Sequence, residues 1–196
     1  MRISEISRET AETNIKLRLN LDGSGNSQIS TGLGFLDHML ELFAKHGGFD
    51  ITLSCVGDLH VDAHHSVEDI AICLGRAFSD ALGDRAGINR YGSALIPMDE
   101  ALVSTALDLS GRVCLCYGLD ILAEKVGDFD TELTEEFFAA FSRTGALTLH
   151  IRQLSGGNAH HIIEAAFKSL ARALREAVAI DPKNEGKVPS TKGTLI

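Results

Sequence analysis

The stretch Asp62-Ala63-His64-His65-Ser66-Val67-Glu68-Asp69 sets the pattern for the rest of the chain. It places two adjacent histidines ahead of a carboxylate, and the arrangement returns as His160-His161-Ile162-Ile163-Glu164. If each copy opens a helix, its first histidine and its glutamate share one face, whereas the second histidine is rotated by about 100°. Such a pair can serve two ions, or one ion locally and one across an interface. One copy could be an ordinary helix start with exposed histidines, but recurrence favours a metal site.

The site motif belongs to a repeat that runs through the whole chain. Residues 12–23 alternate polar and apolar side chains as a half-buried strand does, and residues 100–111 repeat the pattern. In this alignment Glu12 corresponds to Glu100, and each strand is followed by a turn that contains a glycine. Short additional strands are predicted around residues 28–30 and 119–121. Repetition of a strand together with a site motif predicts an internal duplication.

The helices repeat in the same way. Residues 36–47 have apolar side chains three and four apart and a glycine stop, and residues 134–145 are their counterpart. In this alignment His38 corresponds to Glu136, and both residues are of types that bind metal ions. A strand and a second helix follow each of these helices, the second helix beginning at the paired histidines.

These elements predict an α+β fold with two similar halves, each a mixed sheet with two helices on one face, packed together. No linker rich in proline, glycine or serine separates the halves. We therefore expect one domain with repeats at about 8–88 and 89–180, followed by a tail at 181–196 without periodicity.

Composition narrows the classes of protein. A net charge of −9 without a Lys/Arg cluster argues against nucleic acid and anionic membranes as partners. The beginning of the chain lacks the apolar segment of a secretory signal, and no stretch approaches a membrane span, so we expect a cytoplasmic protein. The four cysteines show no CxxC spacing and are expected to be reduced core residues.

The repeat supplies candidate metal ligands of one chemical kind, imidazole and carboxylate. The set is His38, His64, His65, Glu68, Glu136, His160, His161 and Glu164. Without thiolate it suits Mn, Fe, Zn or Ni, and a pair of ions is the natural count. Such a pair fits a dinuclear enzyme, including a hydrolase of a phosphate ester or amide, or a module with purely structural sites.

Other polar residues carry weaker signals. Glu12 and Glu100 each open a strand and could serve as a general acid or base, although glutamates at such positions are usually solvated. Arg90 and Arg112 flank turns where a guanidinium could grip a phosphate bidentately, and the same surface alternative applies to them. The tail segment Ser190-Thr191-Lys192-Gly193 offers hydroxyl, amide and ammonium donors to an anion.

Five segments together resemble the imidazoleglycerol-phosphate dehydratases of histidine biosynthesis, in order and with the same spacing. They are Gly34-Phe35-Leu36-Asp37-His38-Met39-Leu40, Asp62 to Asp69, Pro97-Met98-Asp99-Glu100-Ala101, Leu149-His150-Ile151-Arg152 and Asn158 to Ala165. The resemblance implies a carbon–oxygen hydro-lyase that converts imidazole glycerol phosphate to imidazole acetol phosphate and water. It also implies a homo-oligomer of 24 subunits with sites between subunits.

The resemblance further implies two Mn²⁺ ions per site, with other divalent first-row metals as possible substitutes, and a substrate bound to them as imidazolate. One ion would be held by His38, His65, His160 and Glu164, and the other by His64, Glu68, Glu136 and His161. Glu136 stands where many members have histidine.

By the same resemblance, Glu12 would be the acid/base. The substrate would contact Glu12, His38, His46, His64, His65 and Glu68, and its phosphate would be gripped by Arg90, Arg112, Ser190 and Lys192.

Overall fold

The computed structural model describes residues 1–184 and 186–195, and its two halves share one order of elements. The first half contains β1 (Ile3–Glu9), β2 (Thr13–Asn20), β3 (Ser27–Ser30), α1 (Gly34–Gly47), β4 (Asp50–Gly57) and α2 (His64–Leu82). The second contains β5 (Tyr91–Met98), β6 (Ala101–Asp108), β7 (Cys114–Gly118), a small hairpin of β8 (Lys125–Val126) and β9 (Phe129–Asp130), α3 (Leu133–Gly145), β10 (Thr148–Ser155) and α4 (Ala159–Val178). A short 3-10 helix, Pro182–Asn184, follows.

Each half forms a four-stranded mixed sheet with the same topology. The strand orders are β1-β2-β4-β3 and β5-β6-β10-β7, so corresponding strands occupy corresponding places. All neighbours are antiparallel except β3 with β4 and β7 with β10, which are parallel. The predicted α+β fold with two similar halves is confirmed.

The helices of the two halves pack against each other and fill the space between the sheets. Helix α2 lies on the first sheet and contacts α3, while α4 lies on the second sheet and contacts α1. The backbones of α2 and α3 approach closely at Gly75, where a Cβ atom would lie 2.5 Å from the carbonyl oxygen of Phe141. One continuous apolar core therefore joins the halves.

Two local predictions were wrong. The parallel edge strand of the second sheet is Cys114–Gly118, whereas residues 119–121 form no strand. All four cysteines are free, and Cys55 and Cys73 are buried as expected, but Cys114 is exposed and Cys116 only partly buried, both on the edge strand β7. The predicted boundaries of the repeats and of the tail stay predictions, and Glu185 and Ile196 of the tail lie outside the described residues. Among the described helices, none has the length and apolar character needed to cross a membrane.

Candidate active site

Three predicted metal ligands converge where α1 packs against the beginning of α4. Glu164 Oε2 lies 3.1 Å from His160 Nε2 and 3.5 Å from His38 Nε2. One ligand atom from each of the three residues lies within 4.8 Å of the others. Glu164 is buried and both imidazoles are half-exposed, so the donors face an accessible position. This set of two nitrogens and one oxygen fits a divalent first-row metal ion.

Lys168 fixes the orientation of the Glu164 carboxylate. It lies one helical turn further along α4 and donates a hydrogen bond to Oε1, which leaves Oε2 facing the two histidines. Burial alone would raise the pKa of Glu164, but the hydrogen bonds from Lys168 and His160 outweigh burial and lower the pKa. Glu164 is therefore held as a carboxylate, the form that binds metal.

The beginning of α2 carries the same motif with different partners. The two nitrogens of His65 lie 3.0 Å from Asp58 Oδ2 and 3.6 Å from Glu12 Oε1. Glu68 Oε1 accepts a hydrogen bond of 2.9 Å from Arg143 on α3. The pKa of His65 is raised, mainly because Asp58 stabilises its protonated form. His65 is thus oriented by a carboxylate on Nδ1 and presents Nε2 towards Glu12.

The structure therefore brings together three of the four ligands that were predicted for one of the two ions. Within the described chain, the only convergent group of three or more His, Cys, Asp or Glu side chains is His38, His160 and Glu164. The predicted fourth member, His65, lies with Asp58 and Glu12 instead. Half-buried Glu136 lies on α3, the helix that packs against α2, and does not converge with His64 and Glu68 into such a group. The predicted division of ligands between two ions stays a prediction.

The two glutamates aligned by the repeat have different surroundings. Glu100 accepts a 2.7 Å hydrogen bond from His161 Nδ1 and further bonds from the backbone N–H groups of Asn158 and Gly157. These bonds, above all the one from His161, lower the pKa of Glu100 to about 2. Glu12, in contrast, has a half-exposed side chain whose carboxylate faces only His65 at 3.6 Å in the described ion pairs.

The predicted phosphate-binding arginines come together around a residue that the sequence did not single out, Asp108. Arg90 donates two hydrogen bonds to this carboxylate, at 2.7 and 3.0 Å, and a third of 2.9 Å to the carbonyl of Pro189. Arg112 approaches Asp108 at 3.4 Å and is largely exposed. In the tail, the backbone N–H of Lys192 donates to Ser190 Oγ. The two arginines therefore share Asp108, Arg90 also contacts the tail next to Ser190, and Arg112 is open to solvent.

This arginine cluster is far from the metal-ligand cluster of the same chain. Glu100 and Asp108 lie at opposite ends of β6, and eight residues of strand span about 26 Å. Glu100 contacts His161, the neighbour of His160, so the ligands lie at the other end of the strand. A small substrate cannot reach both clusters of one chain.

His38 and His160 also line a cavity of about 460 Å³. Phe35 and the β8–β9 hairpin form the apolar part of its wall. His46, two turns beyond His38 on α1, has a lowered pKa because it is partly buried and because Lys168 and Arg172 are near. His46 is therefore a neutral imidazole at pH 7, able to donate or accept a hydrogen bond.

Sequence reasoning missed the charged residues that contact the candidate metal ligands and the candidate phosphate-binding arginines. They are Asp58, Asp99, Asp108, Arg143 and Lys168. Only Lys168, four residues after Glu164 on a helix, carried a local signal, since such a pair shares a face. The remaining partners come from other elements and were not visible in the spacing.

Comparison with known proteins gives one consistent family. A model of the family described as imidazoleglycerol-phosphate dehydratase matches residues 31–174. The chain is 56% identical over 195 residues to the imidazoleglycerol-phosphate dehydratase of Methylorubrum extorquens, and 57% identical to that of Heliobacterium modesticaldum, with 100% of both chains covered in each case.

Solved structures agree with these relatives. The imidazoleglycerol-phosphate dehydratase of Staphylococcus aureus superposes with a TM-score of 0.84 at 41% identity, covering 91% of this chain and 99% of that one. The Pyrococcus furiosus enzyme, in complex with (S)-C348, superposes with a TM-score of 0.83 at 39% identity, covering 96% and 99%.

Proposed function

The chain belongs to the imidazoleglycerol-phosphate dehydratase family, and from that membership we propose how its own residues carry out the dehydration. The enzyme is a hydro-lyase of histidine biosynthesis. The proposed reaction removes water from imidazole glycerol phosphate, and the enol that results becomes the ketone imidazole acetol phosphate. The convergence of His38, His160 and Glu164 is the observation that carries the proposed mechanism.

Two Mn²⁺ ions are the proposed cofactors. His38, His160 and Glu164 would hold one ion together with His65 of another subunit. His64, Glu68 and Glu136 would hold the other together with His161 of another subunit. When bound, the two ions would supply Lewis acidity that stabilises negative charge developing on the substrate's imidazole ring.

The separation of adjacent histidines supports this division. The ring centroids of His160 and His161 are 6.2 Å apart with planes at 78°, and the two rings contact different carboxylates, Glu164 and Glu100. His64 and His65 are arranged similarly, with centroids 6.4 Å apart and planes at 86°. Each pair is thus oriented to contribute to two different sites.

The proposed assembly is a homo-oligomer, expected to be a 24-mer, with active sites between subunits. Two observations support shared sites. His65 contacts Asp58 and Glu12 instead of the converging ligands of its own chain, and the arginine cluster lies at the opposite end of β6, a strand about 26 Å long, from the contact of Glu100 with His161. A neighbouring subunit could supply both missing parts.

Glu12 is the proposed acid/base. Dehydration takes a proton from a carbon that no carbonyl activates, so a positioned base is needed at that carbon. The carboxylate of Glu12 is half-exposed and next to His65, a predicted ligand, whereas the carboxylate of Glu100 already accepts three hydrogen bonds. Glu12 is therefore the glutamate with acceptor capacity for a substrate proton.

Arg90, Arg112, Ser190 and Lys192 are proposed to bind the substrate phosphate. Asp108 holds the Arg90 guanidinium in a fixed orientation, and Arg112 is open to a bidentate contact. Phosphate binding at this cluster would leave the imidazole end of the substrate to reach the metal ligands of a neighbour. His46, on the same helix as His38, is proposed to line the pocket. We also propose that the enzyme works in the cytoplasm.

The test is turnover of imidazole glycerol phosphate by metal-stripped enzyme with and without added Mn²⁺. The ketone product is measured by ultraviolet absorbance of its enolised form in alkali, and free phosphate is measured in parallel. We expect product only with Mn²⁺ and no free phosphate. Release of phosphate would favour a dinuclear hydrolase, and absence of any product from folded, metal-loaded protein would favour purely structural metal sites.

A further inference from the structure

We propose that Asp69 is a positioning residue that holds Glu12 in place for proton transfer; this inference rests on the acid/base role proposed for Glu12. Asp69 lies on the buried face of α2 and is only 6% exposed. A buried carboxylate is costly unless it is paired and hydrogen-bonded, so its partners identify what it serves.

The two oxygens of Asp69 bind two different strands. Oδ1 accepts a hydrogen bond of 2.8 Å from Arg8 Nη2 near the end of β1, and Oδ2 accepts one of 2.6 Å from Thr13 Oγ1 at the beginning of β2. Thr13 is buried, and Glu12 is the residue before it. One carboxylate therefore ties both strands that flank the Glu12 turn to α2.

The turn itself is closed by a second set of hydrogen bonds. Thr10 Oγ1 accepts from the backbone N–H groups of Glu12, at 3.1 Å, and Thr13, at 2.9 Å. The carbonyl of Glu12 accepts from the N–H of Asp58, which also holds His65. The backbone of Glu12 is thus fixed relative to the strand end that orients His65.

Asp69 connects this turn to the helix that carries the predicted ligands. It follows Glu68 directly and lies four residues, about one turn, after His65. Asp69 is buried on the same face of α2 as His65, so the strand ends that it binds are held beside the His65 ring, and Asp69 thereby sets where Glu12 lies relative to that ligand. In this arrangement Glu12 Oε1 lies 3.6 Å from His65 Nε2.

The second half lacks this arrangement entirely. On the repeat, Asp69 corresponds to Ala165, Thr13 to Ala101 and Arg8 to Ile96, none of which can form the hydrogen-bonded pairs. There, Glu100 is held through its own carboxylate instead. The anchoring through a separate buried residue therefore occurs only where the glutamate must keep its carboxylate available.

The experiment combines Asp69→Asn with Glu12→Gln in the assembled, Mn²⁺-loaded enzyme. Misplacement of a catalytic group by about 1 Å can cost on the order of 100-fold in rate, so we expect Asp69→Asn to lower kcat by about 10- to 100-fold. KM, Mn²⁺ content and particle size should stay close to wild type. In the Glu12→Gln background, Asp69→Asn should change kcat by less than about twofold, because the group that it positions has lost its function.

Thr105→Val is the matched control. It removes a buried hydrogen bond of 2.6 Å between Thr105 and Ser169, which joins β6 to α4 as Thr13 and Asp69 join β2 to α2. We expect it to leave kcat within about twofold of wild type. If Asp69→Asn folds poorly, a second pair of variants tests the same contact from Thr13. Thr13→Val should lower kcat, whereas Thr13→Ser, which keeps the hydroxyl group, should have a kcat close to that of the wild type.

Two results would overturn the positioning role. One is a wild-type kcat in both Asp69→Asn and Thr13→Val while Glu12→Gln is impaired. The other is a double variant in which Asp69→Asn lowers kcat by the same factor in the Glu12→Gln background as it does in the wild-type background. A wild-type kcat in Glu12→Gln would instead remove the proposed acid/base and, with it, this inference.

Discussion

The beginnings of α2 and α4 carry the same motif on the same fold but have different surroundings. At α4, His160 and Glu164 meet His38 of the other half, and Glu100 is occupied by His161 and by backbone N–H groups. At α2, Asp58 takes over the orientation of the histidine, and Glu12 stays half-exposed. The two halves therefore have the same backbone topology, and charged neighbours give the two copies of the motif different surroundings.

The largest expected difference between the halves is in catalysis. Glu12→Gln should lower kcat by about 10²- to 10⁴-fold because it removes the proposed general acid/base, and it should leave Mn²⁺ content and assembly unchanged. Glu100→Gln should lower kcat by less than about tenfold, since its carboxylate holds His161 and not the substrate. Steady-state kinetics with metal analysis checks both variants, and equal losses would show that the two glutamates share the chemistry.

A second difference concerns metal binding by subunits that have been dissociated and stripped of metal. Because His38, His160 and Glu164 already converge in one chain, such a subunit should bind one Mn²⁺ and not two. Glu164→Gln should weaken this binding by about 100-fold, whereas Glu68→Gln should leave it unchanged. Electron paramagnetic resonance of free Mn²⁺ during titration measures the count. Two Mn²⁺ sites of equal affinity in the dissociated subunit would contradict the expected difference between the two copies of the motif.

The smallest difference is in stability, at the turns that follow β2 and β6. The buried guanidinium of Arg85 donates to the carbonyls of Leu109, Gly145 and Ala146, at 2.9 to 3.3 Å. Arg85→Met leaves these carbonyls short of donors and should cost about 2 kcal/mol. The corresponding turn of the first half is held by Asp50, and Asp50→Asn should cost less than about 1 kcal/mol because the carboxylate is partly exposed. Thermal unfolding at matched protein and metal concentrations checks the ranking.

The Asp50 contribution should also depend on pH. Hydrogen bonds from the backbone N–H groups of Ser24 and Asn26, each 2.9 Å, lower the pKa of Asp50 below its ordinary value. A carboxyl with a lowered pKa in the folded state stabilises the protein above the pKa of the unfolded chain, and this stabilisation is lost as pH falls through the folded-state pKa. The difference between wild type and Asp50→Asn should therefore be full at neutral pH and decline below about pH 4. If the difference in the free energy of unfolding between wild type and Asp50→Asn stays constant down to pH 2, the contribution of Asp50 comes from packing and not from its charge.

Periodicity predicted most of the fold from the sequence. Alternation in residues 12–23 and 100–111 and the three-to-four spacing around His38 marked strands and helices within a few residues of their observed ends. The prediction of a strand at residues 119–121 was wrong because a short edge strand has too few residues to show alternation. The edge strand is Cys114–Gly118, which pairs in parallel with β10.

The sequence by itself determined the duplication, the family and the chemical types of the candidate metal ligands, because motif spacing and residue chemistry are local properties of the chain. Only the tertiary structure decided which ligands meet. His38 reaches Glu164 because α1 of one half packs on α4 of the other, and His65 turns to Asp58 because β4 ends beside α2. The different surroundings of Glu12 and Glu100 likewise come from contacts between residues far apart in the chain, such as His161 with Glu100 and Asp69 with Thr13, which no spacing pattern encodes.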